Sequence, residues 1–160
     1  MPTLRIRFGA SGFFGGLVNQ VSDLFGQGVP FPEIEEAAEA LNTTQILTMS
    51  LLQAEVPGRP SQFLLEKLEK LTVDAKSLAR ADERSITRLK QTRDLIKNEA
   101  DRIEKDILAR PQEFRPTDMT KARLNASQLK SLLKAYDAML GTMGRRRDES
   151  RPGLDQFRRR

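Results

Sequence analysis

Residues 61–108 are the longest part of the chain without a glycine or a proline, 48 positions that are rich in Leu, Lys, Glu, Arg and Ala. This composition strongly favours an α-helix. At about 1.5 Å per residue, one continuous helix of this length would extend on the order of 70 Å, several times the average helix. The stretch therefore predicts a helical rod, and the rest of the chain is interpreted around it.

Apolar side chains recur along this stretch at helical spacing and form one stripe, which Asp82 and Arg93 interrupt. Polar residues inside a helical seam often determine its register or its partner. We expect the leucine-rich first part of the stripe to contact either the N-terminal helix of the same chain or a second chain. The leucines of this part are Leu64, Leu68, Leu71 and Leu78.

Two further helices are predicted beside the long one. Residues 33–55 follow Pro32 and begin with acidic side chains, which suit the positive end of a helix. Residues 117–143 follow a short proline-containing connector, so this helix is expected to return antiparallel to residues 61–108. The predicted fold is all-α: an elongated antiparallel hairpin of helices 61–108 and 117–143 plus an N-terminal helix 33–55, with extended or irregular arms at both ends.

The N-terminal arm, residues 1–31, contains two distinct segments. Residues 3–8 alternate apolar and basic side chains, which predicts a short strand that pairs with a sheet in another chain, or else an extended terminus. Residues 8–31 are rich in Gly and Phe and carry one charge, so they suit a hydrophobic groove of a neighbouring protein or a membrane interface. The predicted contact residues of the arm are Leu4, Ile6, Phe8, Phe13 and Phe14.

The C-terminal tail, residues 145–160, follows a helical domain that spans residues 32–144. It carries seven arginines and no lysine, which suits bidentate contacts with phosphate or carboxylate groups. Nonspecific nucleic acid, an acidic protein surface and a solubilising role are equally compatible with this composition. The arginines concerned are Arg145, Arg146, Arg147, Arg151, Arg158, Arg159 and Arg160.

Several kinds of chemistry are excluded by composition. The chain has neither Cys nor His, so it lacks disulfides, thiol or imidazole catalysis, and zinc sites built on those residues. Gly9, Gly12 and Gly15 have a spacing that resembles the G-x-x-G-x-x-G nucleotide loop of the extended short-chain dehydrogenases. The later strands and the acidic residue of that family are missing, so no cofactor is predicted. We expect no catalytic residue, no metal site and no small-molecule substrate.

The charge distribution and the helical stripe together indicate an assembly protein. Residues 1–57 carry two basic and six acidic side chains, whereas residues 145–160 carry seven basic and three acidic ones. We predict a non-enzymatic structural subunit of a large assembly, made with copies of itself and with other protein subunits. By analogy with other small cysteine-free chains, the expected setting is a virion or phage particle, as a tail, connector, scaffolding or DNA-ejection component.

Two alternative functions remain open on sequence alone. The first is nucleic-acid binding or packaging through the basic tail. The second is a membrane-active pore or tube that uses residues 8–31. No signal peptide and no apolar run long enough to span a membrane is recognised, so a cytoplasmic assembly or a virion is the expected location.

Overall fold

The computed structural model describes residues 34–74, 76–77 and 82–150, and this part of the chain is all-α, as predicted. Its four helices are α1 (Ile34–Gln53), α2 (Ser61–Leu71), α3 (Glu83–Arg102) and α4 (Pro116–Ser150). A π-helical turn (Ile103–Leu108) extends α3, and a short 3-10 turn (Pro111–Glu113) leads into α4. The predicted strand 3–8, the Gly- and Phe-rich residues 8–31, Leu78 and residues 151–160 lie outside the described residues, as do the side chains of 34–38, 61 and 142–150.

Helices α3 and α4 pack closely against each other as an antiparallel hairpin. Two ion pairs cross between them, from Arg93 to Asp137 and from Lys130 to Glu104. Arg93, which interrupts the apolar stripe of the sequence, therefore lies at the edge of the seam and pairs across it. The interior of the seam is largely apolar, and each buried Leu or Ile contributes on the order of 1.5–3 kcal/mol. Its buried side chains include Ile86, Leu89, Ile96, Ile103, Ala122, Ala126, Leu129 and Leu132.

The prediction of one continuous helix over residues 61–108 is wrong. Helix α2 ends at Leu71, and the backbone of Thr72 is extended, with ψ at 135°. Just beyond this end, the amide group of Gln45 on α1 bonds both backbone groups of Val73 and so satisfies them outside a helix. Its Oε1 accepts the Val73 N–H at 3.0 Å, and its Nε2 donates to the Val73 carbonyl at 3.1 Å.

Two aspartates mark where helical structure begins again after this break. The carboxylate of Asp74 accepts the Ser77 N–H at 2.9 Å and the Ser77 hydroxyl at 2.7 Å, as a helix-capping residue does. These bonds hold the pKa of Asp74 below its usual value. Asp82 directly precedes α3, and its carbonyl accepts the Ile86 N–H at 3.0 Å. Asp82 therefore marks the start of a helix and does not interrupt a continuous one.

Helix α4 is longer at both ends than the predicted 117–143. It begins at Pro116, a favourable first helical residue, and it continues through Gly144 to Ser150. A glycine inside a helix costs about 1 kcal/mol relative to alanine, which is too little to end a long helix. The first part of the predicted tail, residues 145–150, therefore has a helical backbone.

The core lies where α1 and α2 cover the α3–α4 hairpin. Tyr136 of α4 is completely buried, and its hydroxyl forms a hydrogen bond of 2.9 Å with the Thr48 hydroxyl of α1. Leu64 and Leu68 of α2 belong to the same core, with exposed fractions of 8% and 6%. The leucine-rich part of the stripe is thus covered largely by helices of its own chain.

Candidate functional site: a buried arginine network

The loop between α1 and α2 directs one arginine into the protein interior. Its residues 57–60 read Pro-Gly-Arg-Pro, and Gly58 has a φ of +71°, a conformation that glycine adopts without steric strain. The Arg59 N–H donates to the Val56 carbonyl at 3.1 Å and closes the turn. As a result, the Arg59 side chain is only 1% exposed.

The guanidinium of Arg59 caps the C-terminal end of α1. Its Nη1 donates to the carbonyl oxygens of Leu51 at 2.7 Å and Ala54 at 2.9 Å. The last carbonyls of a helix have no partner within the helix and lie at the negative end of the helix dipole. The buried cation of Arg59 donates hydrogen bonds to these carbonyls and also balances the negative end of the dipole.

Glu99 on α3 is the anion of the network and is also buried, with its side chain 7% exposed. Its Oε1 accepts Arg59 Nε at 2.7 Å and Arg102 Nη2 at 2.8 Å, and its Oε2 accepts Arg102 Nε at 2.9 Å. Arg102 also donates from Nη1 to the Pro57 carbonyl at 3.0 Å. The α1–α2 loop is therefore joined to α3 by two arginines that share one carboxylate.

Asn125 connects the same network to α4. Its Oδ1 accepts Arg59 Nη2 at 2.6 Å, and its Nδ2 donates to the Leu51 carbonyl at 3.0 Å. The Leu51 carbonyl thus accepts hydrogen bonds from both Arg59 and Asn125. Every helix of the described fold except α2 contributes a group to this network, and α2 begins directly after the loop that carries Arg59.

The hydrogen bonds determine the charge state of the network. Burial alone would raise the pKa of Glu99, but the bonds from Arg102 and Arg59 outweigh it and lower that pKa. Burial lowers the pKa of Arg59, against the effect of the neighbouring Glu99. The carboxylate that results is ionised at neutral pH and accepts three N–H donors, so it is poorly suited to take a proton from a substrate.

An open cleft of about 310 Å³ lies beside the network, between the end of α1 and the start of α4. Arg59 forms part of its wall but already donates to four protein oxygens. Lys121 and Asp118 line the opposite side. The arrangement serves mainly to lock the loop and the helices together.

The part of the chain that the structure describes has two further properties. No group of three or more carboxylates within it is placed to hold a metal ion. None of its helices combines the length and the apolar character that crossing a membrane requires.

The predicted partner-contact residues are distributed differently from this network. Leu64 and Leu68 are buried within the chain, and Leu71 is half-buried. Their contact with a second chain stays a prediction. Arg145, Arg146 and Arg147 lie on the last turns of α4. The other predicted contacts, in the N-terminal arm, at Leu78 and in residues 151–160, belong to the undescribed parts of the chain.

Sequence reasoning missed the network. An arginine between two prolines beside a glycine is an available signal, because such a rigid loop orients its side chain. Its partners cannot be read in this way, since Glu99 and Asn125 lie 40 and 66 residues further along the chain.

In comparisons with known proteins, the chain matches no protein-family model, no curated protein and no solved structure.

Proposed function

We propose that this chain is a non-enzymatic structural subunit of a larger assembly, in which a rigid helical domain carries two arms that contact other subunits. The observation that carries the proposal is the direct linkage between the helices that lead to the arms. Helix α1 follows the N-terminal arm, α4 leads into the basic tail, and the two are joined by the buried Thr48–Tyr136 hydrogen bond and by Asn125. A domain linked in this way fixes the positions from which its arms reach their partners.

The same features are consistent with a component of a virion or phage particle, such as a tail, connector, scaffolding or DNA-ejection protein. Such particles are built from many copies of small chains whose terminal segments contact neighbouring copies. The proposed partners are copies of this chain and other protein subunits. This setting rests on analogy with other assemblies of small chains.

Light scattering coupled to size exclusion tests the proposal on the full chain, at two protein concentrations and at low and high salt. We expect an oligomer that survives high salt, because apolar contacts of the N-terminal arm would be little affected by screening. The double variant Phe13→Asp and Phe14→Asp should reduce the oligomer while the helical circular dichroism is unchanged. Phe63→Asp is the matched control, since Phe63 lies on α2 and is 55% exposed. A monomer under all conditions would contradict the proposal.

A second candidate function is nucleic-acid binding through the basic tail, which the helical backbone of residues 145–150 favours. Three arginines there extend a helix whose earlier turns are anchored in the core. Binding to a DNA duplex, followed by fluorescence anisotropy, should weaken steeply with salt, by about 0.9 logarithmic units per tenfold salt increase for each phosphate contacted.

The matched variants for this second candidate exchange equal numbers of cations. Replacing Arg145, Arg146 and Arg147 by Gln should reduce both the affinity and the salt slope. Replacing three exposed cations of the helical domain (Arg84, Lys90 and Arg123) should change them less. Equal effects of the two triple variants would indicate general attraction of a basic protein and no role for this segment.

A further inference from the structure

Helix α1 contains the longest charge-free run among the described residues. From Ala40 to Ala54, 15 consecutive residues carry no charged side chain, although 31% of the chain is charged and about five would be expected. Burial explains why the inner face of the helix has no charges, but the run also includes the exposed outer face. Glu39 and Glu55 bound the run at its two ends.

The outer face of α1 consists of Asn42, Ile46, Ser50 and Gln53, which are all exposed. At 100° per residue these four positions fall within about 80° of one another around the helix. Ile46 lies at their centre and, with 66% of its surface exposed, is the most exposed large apolar residue of the described structure. This face therefore combines one exposed apolar residue with three uncharged polar ones, and it lacks the charged side chains that are depleted at interface centres.

We propose that the outer face of α1 is a two-fold contact between two copies of this chain, an inference that rests on the proposed assembly function. In a two-fold contact the same surface lies on both sides, so any charge near the axis meets an identical charge. The chain has a net charge of +5, and the described outer faces of α2, α3 and α4 carry Lys, Arg, Asp or Glu within every two turns. Among the described surfaces, the face of α1 is the one that can meet its own copy without repulsion.

The charges at the ends of the face determine the orientation of the two helices. In an antiparallel pair centred on Ile46, Asn42 lies opposite Ser50 of the second copy and Glu39 lies opposite Gln53. A parallel pair would place Glu39 against Glu39, which is destabilising. The contact is therefore antiparallel.

The size of the face predicts its strength. The face is about 20 Å long and about 10 Å wide, so each copy buries on the order of 200 Å². A stable interface buries about 800 Å² on each side. The contact alone is weak, and a stable assembly needs the additional contacts of the arms.

Sedimentation equilibrium of the full chain tests the contact with two matched variants. Ile46→Glu should weaken self-association at least tenfold, because it places two carboxylates at the axis. Phe63→Glu puts the same charge on another exposed apolar position and should leave self-association within about twofold of wild type. Circular dichroism verifies that both variants are folded.

Chemical cross-linking gives an independent readout, since the chain has no cysteine of its own. A mixture of Asn42→Cys and Ser50→Cys chains, treated with a short thiol-specific cross-linker, should form more dimer than either chain alone. Equal yields, together with an unchanged Ile46→Glu variant in an oligomeric wild type, would overturn this contact and leave the assembly proposal intact. A wild type that is monomeric at all concentrations would overturn both.

Discussion

Replacing Glu99 by alanine is the sharpest test of how the fold is held together. The change removes the acceptor of three hydrogen bonds from Arg59 and Arg102. It leaves the Arg59 guanidinium, 1% exposed, beside a second guanidinium with no anion between them. Removing one partner of a buried ion pair typically destabilises a protein by 3–5 kcal/mol, because the remaining charge stays buried without compensation.

The measurement is urea unfolding of the full chain followed by circular dichroism. A loss of about 4 kcal/mol, divided by a slope of about 2 kcal/mol per molar urea, lowers the midpoint by about 2 M. Glu104→Ala is the matched control because Glu104 lies one turn further along and pairs with Lys130 at the surface, where the side chains are 42% and 51% exposed. Exposed pairs contribute at most about 1 kcal/mol, so its midpoint should move by about 0.5 M or less.

The Arg59→Met variant distinguishes the cost of an uncompensated buried charge from the cost of lost hydrogen bonds. In this variant Glu99 keeps its two bonds from Arg102, so no charge is left alone in the interior. We expect a smaller loss than for Glu99→Ala, about 2 kcal/mol, because the Ala54 carbonyl and the Asn125 Oδ1 lose their Arg59 donor. Equal midpoints for the Glu99→Ala and Glu104→Ala variants, or a larger loss for Arg59→Met than for Glu99→Ala, would refute the reasoning.

Three other predictions follow from single contacts. Burial raises the pKa of Tyr136 to about 12, so the stability that this group contributes is complete below about pH 10 and is lost towards pH 12. Tyr136 is the only tyrosine of the chain, so tyrosinate absorbance follows its titration, and a titration midpoint near pH 10 with the fold intact would contradict the burial. Gln45→Ala should destabilise the domain by about 1–3 kcal/mol and speed hydrogen exchange at the Val73 amide, unlike Gln91→Ala, which changes an exposed residue of α3. The pKa of Glu99 lies below its usual range, so its contribution to the free energy of unfolding is complete above about pH 4.3 and is lost as the pH falls further. The stability of the Glu99→Gln variant should therefore depend less on pH in acid, and the same pH dependence as wild type would contradict the lowered pKa.

The all-α fold could be predicted because its signals are local. Proline and glycine bound α1 and α2 at residues 57–60, and the apolar stripes of α3 and α4 predict the hairpin. The end of α2 was missed for the opposite reason. The bonds that satisfy the Val73 backbone outside the helix come from Gln45, which is 28 residues away, and helix propensity contains no information about such a partner.

The same distinction applies to the candidate site. Leu64 and Leu68 were correctly recognised as needing cover, but sequence could not decide between their own chain and another one. Arg59 has a distinctive local setting between two prolines, yet its role depends on Glu99 and Asn125, which only the folded chain brings near. Gly144 shows the reverse error, because a local helix-breaking signal was given more weight than the long helix around it.

The position of the arginine network along the chain also affects the rates of folding and unfolding. Arg59 bonds residues 40 and 66 positions ahead of it, so it cannot engage both until α3 and α4 have already paired. Interactions that form after the transition state slow unfolding and leave folding almost unchanged. We therefore expect the network to act mainly on the unfolding rate, which determines how long the folded domain persists.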